Sequence, residues 1–167
     1  MNLQALPEEA LKEILALTEA KKRLDLQDKA QNLFMPFAHH VYENFIEGRH
    51  HRVIAEKLER VARGELKRLI INMPPRHSKS EFASFLMPAW FLGRNPKLKI
   101  IQATHNTELA VRFGRKVRDL IDDPAYKEIF PDTHLKEDNK GAGKWQTSSG
   151  GEYFAAGVGA AVTGRGA

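Results

Sequence analysis

Along the chain the apolar residues switch repeatedly between helical spacing and short unbroken runs. In LPEEALKEILALTEAKKRL, Leu11, Ile14 and Leu15 recur at helical intervals, and Pro7, Glu8 and Glu9 suit a first helical turn. FMPFAHHVYENFIEG breaks at Pro36 and then predicts a short helix ended by Gly48. RVIAEKLERVARG predicts a third helix, closed at Gly64 in the same way. LKRLIINM is of another kind. It is short, rich in β-branched residues and bounded by Pro74 and Pro75, which predicts a buried central strand over 67–72.

After a polar turn, a helix is predicted from near Lys79, with Phe82, Phe85, Leu86 and Trp90 on one side and a kink or end at Pro88. LKIIQAT predicts a second buried strand. NTELAVRFGRKVRDLIDD predicts a long helix capped by Asn106, with Leu109, Phe113, Val117 and Leu120 as its apolar stripe. Strand, loop, helix, strand, helix predicts an α/β fold with a parallel sheet and right-handed crossovers. The tail differs, because eight of the twelve glycines lie from Gly141 onward. There KWQTSSGGEYFAAGV predicts a hairpin with a glycine turn, and Trp90 and Trp145 are expected in the core.

Composition adds limits. The chain has 167 residues, 42% of them hydrophobic and 28% charged, which suits one domain with a real core. It contains no cysteine, so disulfides and cysteine metal sites are excluded. No apolar run approaches bilayer length, and the start lacks a secretion-signal pattern, so a cytoplasmic setting is expected. Net charge is +5, compatible with a polyanionic partner. From Arg49 to Arg68 seven Arg or Lys face three Glu, which suits a solvated helix face as well as DNA contact. His39-His40 and His50-His51 have no acidic partner at fixed spacing and make a poor metal set.

The chemistry concentrates in MPPRHSKSEF. Laid on the pattern G-x-x-x-x-G-K-[ST], Met73 and Ser78 take the glycine positions and Lys79-Ser80 the K-[ST] pair. Pro74 and Pro75 remove two backbone donors, leaving Arg76, His77, Ser78 and Lys79 to meet an anion. On the bare motif alone, a polar turn of no function is the better reading. Its place between a predicted strand and a helix start favours phosphate.

RLIINMPPRHSKSEFASFLMPAWFLGRNP, then IIQATHNTELAVRFGRKVRDLI, then TGRGA, resembles in order the ATPase domain of the large terminase subunit of tailed bacteriophages. The matching region runs from about Phe34 to Ala167, leaving 1–33 as an N-terminal helical segment and 34–167 as a partial P-loop ATPase domain. The resemblance implies a RecA-like parallel sheet and, in the full-length protein, an ATP-driven motor that moves double-stranded DNA into procapsids. It implies ATP and Mg²⁺ as cofactors, with Lys79 on the phosphates, Ser80 on the metal and Arg76 acting in cis on the γ-phosphate. The catalytic residues would thus be Lys79 and Arg76, and the phosphate site Arg76, His77, Ser78, Lys79 and Ser80. Phe37, His39 and His40 stand where an adenine contact would be. It further implies a portal protein and a small terminase subunit as partners, a homo-oligomeric ring, and the host cytoplasm as location.

Two departures qualify it. Ser78 replaces the usual glycine, and the acidic strand expected after TGRGA, like the nuclease domain, lies beyond Ala167. The chain alone is therefore expected not to hydrolyse ATP. Another P-loop NTPase such as a helicase-type motor or small kinase, or a non-catalytic module docking on DNA or capsid protein, are the alternative readings.

Overall fold

A computed structural model of the chain describes residues 7–159. Its element order is α1 (Glu8–Asn32), α2 (Phe34–Val41), α3 (Arg49–Ala62), a π-helical segment (Glu81–Leu86), α4 (Met87–Arg94), β1 (Lys99–Thr104), α5 (Thr107–Asp122), α6 (Pro124–Ile129), β2 (Leu135–Lys140), β3 (Lys144–Thr147) and β4 (Glu152–Gly157). Four strands form one sheet in the order β1-β4-β3-β2, flanked by helices.

The sheet is mixed, which corrects the expected parallel one. β1 and β4 run parallel, from Lys99 opposite Glu152 to Thr104 opposite Gly157. β3 pairs antiparallel with β4 and β2 antiparallel with β3. The predicted hairpin is the cause, since a turn of a few residues after β3 can return the chain only antiparallel. Gly150 holds φ +94° in that turn, and Thr147 Oγ1 accepts from Gly151 N at 2.8 Å. β2 has no counterpart in the sequence reading. After the buried Leu135 its residues KEDNK are polar, as an edge strand permits.

The second correction concerns 67–72. These residues join no ladder and carry no regular secondary structure. Their burial alternates all the same: Leu69, Ile71 and Met73 pack against the core, while Arg68, Ile70 and Asn72 are exposed. Side chains therefore follow the period of a strand, without a neighbouring strand beside it.

Helix ends follow local chemistry. Asn106 caps α5 through Oδ1, which accepts from Leu109 N at 2.8 Å. Gly64 closes α3 with φ +75°, where a left-handed residue costs glycine little. Pro36 lies inside the first turn of α2, where its missing N–H goes unneeded, and α2 ends at Val41, short of the expected Gly48. Pro88 cannot donate to the preceding turn, and the helix ahead of it widens into the π-helical segment, with Met87 N bonded to Phe82 O.

The core gathers Phe34, Phe37, Phe82, Trp90, Tyr126 and Phe130 where α2, the π-helical segment, α4 and α6 meet. Phe34 meets Phe82 and Trp90 edge-on at 5.3 and 5.4 Å. Trp90 Nε1 donates to Ala30 O, and Tyr126 Oη to Ala89 O, so neither buried polar tip is wasted. Across the sheet Trp145 stacks on Tyr153 at 4.8 Å and donates to Gly114 O of α5. The α5 stripe is turned from the expected one: Ala110, Gly114, Val117, Leu120 and Ile121 are buried, Leu109 and Phe113 half-buried.

Candidate functional site

The turn 73–80 leads from the extended segment into a helix that begins at Lys79, where the switch in spacing placed it. Phe82 N donates to Ser78 O at 2.9 Å, so Ser78 carries the first helical carbonyl. Two residues of the turn are left-handed without being glycine: Arg76 at φ +63° and Ser78 at φ +58°. Left-handed residues interleaved with others turn successive N–H groups toward one concave side, the arrangement that cradles anions. The N–H groups of Arg76, His77, Ser78 and Lys79 reach no acceptor among the described residues. They are donors held in reserve.

The side chains add charge. Lys79 Nζ folds back to Met73 O, 3.5 Å away. Arg76 is exposed and makes no ion pair among the described residues. His77 Nδ1 lies 2.8 Å from Pro75 O. Ser80 is exposed in the first helical turn, its hydroxyl free to meet a cation held by a bound phosphate. Among the described residues no group of three acidic or histidine side chains could hold a metal by itself.

The adenine-side candidates Phe37, His39 and His40 lie on α2. Phe37 is fully buried, packed against Tyr126 and Phe130, and offers no face to a ligand. His39 is held by Glu47 at 2.6 Å. His40 Nε2 lies 3.1 Å from the Glu128 carboxylate at an angle that makes no hydrogen bond. His50 and His51 of α3 also come close to the turn. The rings of His50 and His77 are 5.8 Å apart, those of His50 and His51 are 3.8 Å apart, and His51 stacks on Phe82. His51 Nδ1 accepts from Gly48 N at 2.9 Å, so its buried Nε2 carries a proton with no acceptor. Burial first, then the neighbouring charge of His50, holds the His51 pKa below its ordinary value, with Glu47 opposing and His77 adding to the shift.

Sequence reasoning gave no role to Glu81 and Lys116. The Glu81 carboxylate, directly after Ser80, receives Lys116 Nζ at 3.0 Å, and that ammonium also lies over the Phe85 ring at 4.9 Å. This pair ties the first turn after the loop to α5. Its signal in the sequence is weak, because the partners are 35 positions apart.

No protein family, curated protein or solved structure matches this chain. The site therefore stands on its own geometry.

Proposed function

We propose that the 73–80 turn binds the phosphates of a nucleoside triphosphate, and that this chain is the nucleotide-binding part of a DNA-packaging ATPase of the terminase type, with a RecA-like organisation. One observation carries the phosphate reading: two left-handed residues in a turn of free N–H groups, with Lys79 at a helix start. In this reading Lys79 meets the β and γ phosphates, the N–H groups of 76–79 cradle them, Ser80 meets Mg²⁺, and Arg76 reaches the γ-phosphate. ATP supplies the reacting phosphoryl group when bound. The packaging role, with duplex DNA, a portal and a small subunit as partners and the host cytoplasm as setting, rests on the order of the three sequence motifs.

The test is titration with fluorescent ATP and Mg²⁺. Lys79→Ala removes a charge-assisted contact worth about 1.5–3 kcal/mol and should weaken binding tenfold or more. Lys97→Ala, in the exposed loop before β1, should change little. Equal losses from both would show diffuse attraction and sink the reading.

A further inference from the structure

The turn holds a histidine whose ring the main-chain cradle leaves unused. His77 is exposed and lies between the two left-handed residues, Arg76 and Ser78. Its Nδ1 stands 2.8 Å from Pro75 O. A carbonyl only accepts, so Nδ1 carries the proton of the neutral ring and Nε2 keeps the lone pair. On its other side the ring meets His50 of α3 edge-on, with centroids 5.8 Å apart. These two contacts set its orientation.

The charges placed around this ring favour an anion. Arg76 and Lys79 belong to the same turn, and Arg49 begins the helix that carries His50 and His51. Glu47, ahead of that helix, is engaged by His39 and Arg52, and Glu81, after the turn, by Lys116. The charge of His77 also reaches His51, whose pKa is held down by burial first, then by His50, and last by His77, against Glu47. A second ring proton on His77 thus meets like charge while the turn is empty. Bound polyphosphate reverses that field.

We infer that His77 takes up a proton from solvent at Nε2 when the turn receives a triphosphate, and that the imidazolium then donates to a phosphate oxygen. The inference rests on the phosphate reading above and gives that site a regulator: nucleotide affinity rises as pH falls. The sign follows from linkage, since a ligand that favours the protonated ring is bound more tightly by it. One coupled proton changes affinity by at most about tenfold per pH unit. Imidazole chemistry places the effect between about pH 7.5 and 5.5. His50 is a positioning residue here, because its own Nε2 is buried and cannot reach a phosphate.

The experiment is calorimetric titration of Mg²⁺-ATP onto the full chain across about pH 5.5–7.5, in buffers of different ionisation heat, which counts the protons taken up. The wild-type chain should bind several-fold more tightly at the acid end and take up protons on binding. His77→Gln keeps a neutral donor at an exposed position and should lose most of both effects. Comparing the two proteins cancels the titration of the ligand itself. His50→Phe keeps an edge-on ring and should retain the uptake. Uptake that persists in His77→Gln, or that His50→Phe abolishes, overturns the inference. Lys79-dependent binding with no pH dependence overturns it while leaving the phosphate reading intact. Binding that Lys79→Ala does not weaken removes both together.

Discussion

Ser78 shows what one side chain does to a loop. At φ +58° its Cβ crowds the following carbonyl, a cost of about 1–2 kcal/mol that glycine avoids, less the 0.5–1 kcal/mol of extra unfolded-state entropy glycine brings. Ser78→Gly should therefore raise stability by about 0.5–1 kcal/mol, read as the urea midpoint at unchanged slope. A lower midpoint would mean the serine supplies something the strain conceals. His51 makes the second prediction at this scale. Its pKa is depressed in the fold, so the unfolded chain holds a proton there that the folded chain lacks. Stability from this group is complete above about pH 6.5 and falls as pH drops through that value toward the folded pKa. His51→Phe keeps an aromatic ring against Phe82 and should flatten the slope of stability between about pH 5 and 7. An unchanged slope would show that His51 is not the group behind it.

Among elements, local signals were legible where one residue decides the outcome. Asn106, Gly64 and the glycine turn before β4 did what their chemistry dictates, and Lys79 opens its helix. The failures share another cause. A run such as LKRLIIN announces alternation, yet whether it joins a sheet depends on a neighbour far away in sequence. β2 escaped notice for the same reason, because an edge strand of polar residues has no apolar period to read. The site divides likewise: the loop was visible as a motif, whereas the approach of His50 to His77 and of Lys116 to Glu81 is tertiary. Gly114 lets propensity and packing compete inside α5. Alanine gains about 1 kcal/mol as a helix former. Its Cβ, however, would lie 2.6 Å from Ala142 O and 3.1 Å from the Tyr153 ring, and a backbone carbonyl cannot simply swing away. Gly114→Ala should thus destabilise by about 1–3 kcal/mol in thermal or urea unfolding, and a gain would show that the sheet slides freely beneath α5.

At the scale of the whole molecule, the arrangement of carboxylates decides between binding and turnover. Phosphoryl transfer to water needs the loop lysine, the metal, a cation on the γ-phosphate and a carboxylate that orients the water, all together. In the proposed reading Lys79 would be the loop lysine, Ser80 a hydroxyl ligand for the metal and Arg76 the cation on the γ-phosphate. The aspartates at the end of α5 are engaged elsewhere. Asp123 caps α6, Asp122 receives Lys127 at 2.8 Å, and Asp119 is held by Arg118. Glu81 is closest to the loop along the chain, but it is tied to Lys116 on the side of α5. On the proposed reading, none of Asp119, Asp122, Asp123 and Glu81 is free to orient the attacking water. The 167-residue chain should accordingly bind Mg²⁺-ATP and release no phosphate above the uncatalysed background in a steady-state assay. Glu81→Gln separates the remaining possibility, since a base at Glu81 would make turnover depend on it. Turnover by the wild-type chain that Lys79→Ala and Glu81→Gln both abolish would show that the Glu81–Lys116 pair opens on binding and that the cradle is a complete active site.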